Sequence, residues 1–258
     1  MGSRWPALGP AEAMLLLDPA ANPRDAMKVA LTSLLMKGIL RVGEVEKPRW
    51  FGPRKHRTLR QVGSAGEATP SEAAALSALR ASRGERPMDE AVAALASEFG
   101  GGFVKFRDEH VLRDLARRGL LERYLERYLL LFARVRYRRT SAGRAERDRI
   151  LGLMERARRL PPFVAENAAE ALAVAAGLGT AILLVEELRP HLAELRALLR
   201  PSASDAGGGG GGDGGSAGGS DGGIPDWDLG AFDGSLESFD SSFDAASSDG
   251  GGDGGGGK

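Results

Sequence analysis

The sequence predicts a mainly α fold with small β-hairpins (α+β), followed by a C-terminal helical segment and a disordered tail. Three observations carry this. A helix-like apolar run ends at a glycine and passes into a strand-like run twice, as Leu-Met-Lys-Gly-Ile-Leu-Arg-Val at 35–42 and as Ala-Arg-Arg-Gly-Leu-Leu-Glu-Arg at 116–123. Val135 and Tyr137 alternate with Arg134, Arg136 and Arg138, the two-residue period of a half-exposed strand. Residues 201–258 are glycine, serine and aspartate with a few apolar islands, a composition that buries too little to offset the entropy of ordering.

The elements follow in order. Pro10 to Leu17 is a short apolar helix, and Asn22-Pro23 starts the next one with an N-cap amide and a proline in the first turn. Ala26, Val29, Ala30, Leu34 and Met36 or Lys37 are spaced for a helix whose apolar face includes Leu31 and Leu35, Gly38 stops it, and Ile39 to Val42 alternate as a strand. A second strand follows a basic stretch and ends near Val62. Thr69-Pro70-Ser71-Glu72 opens an alanine-rich helix through about Arg83. Pro87-Met88-Asp89-Glu90 opens another that reaches Phe99 and halts at Gly100-Gly101-Gly102, and a third begins near Phe106 with Val111, Leu112 and Leu115 at helical spacing. A hairpin over about 120–140 returns into a last helix. Beyond Pro161-Pro162 lies the most apolar segment, charge-free from Ala171 to Val185, and then a polar helix from Glu186 to Leu199 interrupted at Pro190.

A helix ending in "LARRGLLER", a hairpin, and a return through "YRRTSAGR" into a last helix resembles the winged-helix fold over residues 69–160. Residues 10–65 resemble it more loosely, with the helix-glycine-strand joint present and the third helix missing or displaced. The whole plan, with its glycine-rich end, is also similar to a group of uncharacterised bacterial membrane proteins with Gly-rich, often Cys-rich, tails. The chain therefore divides into a partial winged-helix-like unit (1–65), a winged-helix-like domain (66–160), apolar and amphipathic helices (161–200) and an acidic Gly/Asp-rich tail (201–258). The resemblance implies DNA binding or protein docking.

Zero net charge conceals a split. Residues 1–200 carry 34 Lys+Arg against 24 Asp+Glu, and residues 201–258 carry 11 acids and only Lys258. A basic body tied to an acidic tail points to an anionic partner with a competitor on the same chain. Residues 47–60 hold six cations and no acid, Lys47, Arg49, Arg54, Lys55, Arg57 and Arg60, with Trp50 and Phe51 among them. Such side chains neutralise phosphates and stack on bases, or form a solvated loop. Residues 113–149 hold 12 Arg against 5 acids, and from them Arg113, Arg117, Arg134, Arg136 and Arg138 are the candidate contacts. The third helix would present Lys105, Arg107 and His110 as well, alongside Asp108, Glu109 and Asp114, which oppose groove insertion. In the tail, Trp227, Phe232, Phe239 and Phe243 stand among aspartates as anchors for a basic, partly apolar surface.

The absence of cysteine excludes disulfide frameworks and thiolate metal sites. The first apolar stretch, Ala13 to Leu17, is too short for a secretory leader, so a cytoplasmic location is expected, with inner-membrane association as the alternative. No Walker loop or nucleophile elbow occurs, and Gly177-Leu178-Gly179 lies in a long apolar helical run rather than a dinucleotide turn. His56, His110 and His191 lie in separate segments, with surface or capping roles expected. Neither catalysis nor a cofactor or metal is expected. The leading reading is an adaptor or regulator whose basic face binds DNA or another polyanion, modulated by its tail through self-contact or a protein partner. The alternative is a membrane-associated scaffold using residues 168–185 and the basic face against anionic lipid. Val174, Leu178, Ala181, Val185, Leu188, Leu192, Leu195 and Leu199 form one stripe there, which favours burial against a domain or partner helix.

Overall fold

The computed structural model describes residues 8–47, 54–80, 85–128, 132–159, 173–174 and 177–185. The predicted mixture is present: α1 (Pro10–Leu17), α2 (Pro23–Met36), the strands β1 (Leu40–Lys47) and β2 (Arg54–Gln61), α3 (Pro70–Arg80), a two-residue β3 (Arg86–Pro87) and α4 (Met88–Phe99). There follow a π-helical stretch (Phe106–Leu112) running directly into α5 (Arg113–Arg117), then β4 (Leu121–Tyr128), β5 (Phe132–Arg139), α6 (Ser141–Arg158) and a 3-10 turn at Gly179–Leu184. The buried apolar side chains form one core that runs from Leu8 to Val185.

The two glycine joints are built alike. At the end of α2 the amide of Ile39 reaches the Leu34 carbonyl (3.0 Å) and that of Gly38 the Leu35 carbonyl (2.9 Å), with Gly38 at φ +67°. At the end of α5 Leu120 reaches Leu115 and Gly119 reaches Ala116, both at 2.9 Å, with Gly119 at φ +71°. Each is a left-handed cap that satisfies orphan helix carbonyls and turns the chain straight into a strand. The likeness extends past the hairpins. Ile39 O accepts the amide of Val62 (2.9 Å) and Leu120 O that of Thr140 (3.1 Å), so each hairpin is closed onto the residue that follows its glycine.

The sheets then differ. β1 and β2 pair antiparallel from Leu40↔Gln61 to Lys47↔Arg54, and β3 adds to the outer side of β2 through Thr58↔Pro87 and Leu59↔Arg86. β4 and β5 pair from Leu121↔Arg139 to Tyr128↔Phe132 and remain two-stranded. Sequence periodicity does not predict β3, because two residues are too few to show a period; Pro87 fits there as an edge residue that gives no ladder hydrogen bond.

α1 is the central helix. Six of its eight residues are buried, and it packs on α2, on α6, on the π-helical stretch and on the Gly179–Leu184 turn. Its C-terminal carbonyls are closed from far along the chain: Arg139 Nε donates to Leu16 O at 2.6 Å and its Nη2 to Leu17 O. It also carries a buried carboxylate, Glu12, whose Oε1 accepts from Ser71 Oγ at 2.7 Å. One residue on, Glu72 closes a capping box at the start of α3, its Oε2 accepting the Thr69 amide at 2.7 Å while the Thr69 hydroxyl accepts the Glu72 amide at 3.4 Å. The same Oε2 accepts from Lys37 Nζ at 2.5 Å, beside the glycine that ends α2.

One expectation lies partly outside the described residues and another changes. The alanine-rich helix ends at Arg80 among the described residues, and its extension to Arg83 falls outside them. The apolar run does not continue as one α-helix through Gly179: residues 173–174 and 177–178 are helical, Gly179 turns left-handed at φ +53° and a 3-10 segment follows. Val174, Leu178, Ala181 and Val185 are buried there, as the stripe requires, and Leu188 to Leu199 lie outside the described residues. No helix among the described residues is long and apolar enough to cross a membrane.

Two outcomes test this frame. A Cβ at Gly119 meets open space, so Gly119→Ala is expected to cost about 1 kcal/mol for the left-handed backbone alone. A Cβ at Gly143, in α6, would collide with the Leu120 carbonyl oxygen. Gly143→Ala is therefore expected to cost roughly 3 kcal/mol, although alanine is normally the better helix residue; urea titrations of both variants check the order. The second outcome concerns Glu12. Burial pushes its carboxyl above the ordinary range, the Ser71 hydrogen bond opposing and Glu72 reinforcing the shift. The folded state thus holds this proton more tightly than the unfolded chain does, so this group's contribution is most favourable below about pH 4 and declines as pH rises toward the folded value. Glu12→Gln keeps the acceptor for Ser71 and abolishes the titration. It is expected to be the more stable protein at pH 7 and to lack that decline; parallel stability profiles from pH 4 to 8 would contradict the assignment.

Candidate polyanion-binding surface

Register decides which cations of the first hairpin meet an acid. Glu44 stands opposite Arg57 and Glu46 opposite Lys55, and Lys47 faces Arg54. Arg57 is half-buried; Lys47, Arg54 and Lys55 are placed as backbone in the strands, and Arg49 and Trp50 lie outside the described residues. At the other end of the hairpin the pairing is between like charges: Arg41 is directly opposite Arg60, and both are exposed. Such a pair destabilises a ladder, and an anion bound between the guanidiniums relieves it.

Arg60 is also part of a cavity of about 370 Å³ beside the outer side of β2, where the pairing with β3 has ended. Leu40, Leu59 and Ala91, all buried, form its apolar floor, and Arg60, Arg80 and Arg86 stand around it. Arg80 Nε donates to Gln61 Oε1 at 3.1 Å, which fixes that side chain along the strand. Among the described residues none of Arg41, Arg60, Arg80 and Arg86 forms an ion pair. The acid of this region, Glu85, accepts from Thr58 Oγ1 at 2.5 Å. Arg41, Arg80 and Arg86 were not among the candidates read from the sequence. They lie on a strand, at a helix end and on the two-residue β3, and only the fold brings them to Arg60.

The second basic region is neutralised in part: Asp114, Glu122 and Glu126 hold Arg117, Arg118, Arg136 and Arg138, while Arg113, Arg123 and Arg134 form no ion pair among the described residues. Asp114 accepts from Arg117 Nη2 at 3.0 Å and forms an ion pair with Arg118 at 2.7 Å, leaving Arg117 65% exposed. Arg107 pairs with Asp108 at 2.7 Å and Lys105 with Glu98 at 3.7 Å. Arg113 is exposed and has no ion pair among the described residues. On the hairpin, Arg138 grips Glu122 through Nε (3.0 Å) and Nη2 (3.1 Å) and lies 5.7 Å over the Tyr124 ring. Their hydrogen bond raises the Arg138 pKa and lowers that of Glu122. Arg136 pairs with Glu126 at 2.8 Å, and Arg134, opposite Glu126 in register, is exposed. Exposed pairs of this kind contribute little stability, yet each one removes a cation from the count available to phosphate. On the hairpin's other face, Leu125 and Val135 oppose each other with 59% and 37% of their surfaces in solvent.

Of the histidines expected in surface or capping roles, His110 is instead packed among aromatic rings. His110 packs edge-on against Phe99 (5.3 Å) and stacks on Phe106 (6.4 Å), and burial lowers its pKa. His56 is half-buried with Nε2 lacking a hydrogen bond, and His191 lies outside the described residues. Among the described residues no group of histidines and carboxylates has the geometry to hold a metal ion. Trp227, Phe232, Phe239 and Phe243 all lie outside the described residues. What the arrangement offers chemically is unpaired guanidinium beside an apolar hollow. Compared with known proteins, the chain matches no family model, no curated protein and no solved structure.

Proposed function

We propose that the protein is a non-enzymatic adaptor or regulator whose basic, winged-helix-like body binds DNA or another polyanion and whose acidic tail modulates that binding. The observation that carries the reading is the group Arg41, Arg60, Arg80 and Arg86, gathered by three elements around β2 without an ion pair among the described residues. Phosphate neutralisation releases condensed counterions, and guanidinium outside an ion pair does this without first giving up a carboxylate. The same criterion moves the centre of the surface from the helix and hairpin at 105–138, where Asp114, Glu122 and Glu126 hold their arginines, to the first sheet.

Binding of the full-length chain to duplex DNA across a salt series tests this. Replacing Arg41, Arg60 and Arg86 together by Ala is expected to weaken binding at least tenfold at low salt and to make the log–log salt slope shallower by about 2–3. Replacing Arg117 and Arg138 is expected to change the slope by less than 1. Absence of binding at low salt overturns the reading.

Anionic lipid is the second reading, and the exposed Leu125–Val135 pair, with Arg123 two residues along on the same face, favours it: apolar side chains beside a guanidinium suit a headgroup boundary. Leu125→Ser with Val135→Ser is expected to reduce binding to phosphatidylserine vesicles severalfold and to leave duplex binding unchanged; an effect on both alike would count against a lipid role for the hairpin.

A further inference from the structure

We infer that the cavity beside β2 is the docking place of this chain's own tail, with Trp227 in the hollow and Asp226 and Asp228 against the surrounding arginines. The inference deepens the proposed reading by giving the tail a site. It rests on size, charge and tether.

The cavity is about 370 Å³, in the range of pockets that enclose one large side chain or a small ligand. A phosphate backbone has no use for its floor of Leu40, Leu59 and Ala91, whereas an indole does. Arg60, Arg80 and Arg86 give the walls a charge of +3. The complementary segment must then be aromatic and acidic together. In the tail, Phe232, Phe239 and Phe243 are each followed by one aspartate, and Trp227 alone has an acid on both sides, in Ile224-Pro225-Asp226-Trp227-Asp228-Leu229. Pro225 also reduces the entropy lost when this segment is held extended. Beyond Leu59 the outer side of β2 is no longer paired with β3 among the described residues, so an extended segment can lie along Arg60 to Val62 as an added strand.

The tether sets the local concentration. Residues 201–223 have the Gly/Ser-rich composition of a flexible linker, which spans roughly 25 Å r.m.s. and holds its far end at an effective concentration on the millimolar scale. A contact of modest intrinsic affinity is therefore occupied within one chain. It withholds Arg60, Arg80 and Arg86 from an external polyanion until that ligand outcompetes it.

The test uses the full-length chain. Amide spectra of wild type and of Trp227→Ser are expected to differ at Arg60 to Gly63, Leu79, Arg80 and Ala91; differences confined elsewhere, or none, overturn the inference. A labelled peptide of residues 222–231 added to the Trp227→Ser protein is expected to shift the same amides and to bind at least tenfold more weakly when Arg60 and Arg86 are also Ala. Should that variant fail to fold, the shifts in Trp227→Ser alone decide: absence of saturable shifts at the cavity refutes docking. Duplex binding separates the two claims. Peptide shifts at the cavity with no duplex binding at low salt would keep the docking and remove the polyanion reading; duplex binding that Trp227→Ser leaves unchanged, with no peptide shifts, would do the reverse.

Discussion

One carboxylate ties the two halves of the fold together. Glu72 Oε2 closes the capping box at the start of α3 and at the same time receives Lys37 from the last turn of α2. A local helix-start signal is thereby reused as a tertiary contact. A buried ion pair of this kind is not a large source of net stability, since desolvation offsets most of the attraction. Its effect is to fix position: removing either partner leaves a charge without its counterpart, so alternatives in which α2 and α3 slide past each other are disfavoured. Glu12, one hydrogen bond away through Ser71, extends the constraint to α1. The far end of α3 is Arg80, so the helix that is anchored at its N-terminus by buried charge delivers an exposed one to the cavity at its C-terminus.

The joint at Gly38 and the joint at Gly119 show how a short sequence pattern makes the same three-dimensional object twice. Helix, left-handed cap, strand, and a return amide onto the residue after the glycine recur in both. They diverge in what the hairpin meets next. The first sheet gains β3 and a hollow beside it; the second stays two-stranded and turns its arginines onto its own glutamates. Two hairpins of similar composition thus have different electrostatic character, because register rather than charge count decides which side chains meet.

What the sequence discloses is what is encoded locally. Pro10, the Asn22-Pro23 start, the Thr69/Glu72 box and Gly38 each act within a few residues, and each marks its element correctly. Period-two alternation likewise locates β5. The hidden parts depend on distance along the chain. β3 is too short to have a period, the π-helical stretch around Phe106 differs from an α-helix by one residue in register, and Arg41, Arg60, Arg80 and Arg86 are gathered from four separate elements. The candidate cations at 113–138 were legible as charges, but the neutralisation of Arg117, Arg136 and Arg138 by Asp114, Glu126 and Glu122 follows from side-chain geometry that a count does not contain.

Arg139 has a consequence for how the chain is made. Its guanidinium closes the end of α1 across 122 residues of sequence, and β3 completes a sheet whose first two strands precede it. At about 5–20 residues per second, the ribosome takes roughly 6–25 s to supply Arg139 after Leu17. During that interval the central helix has neither its C-terminal cap nor the outer helix it packs on, and its leucines must be kept from other chains. The order of synthesis therefore runs against the order of burial: α1 precedes every described element that encloses it.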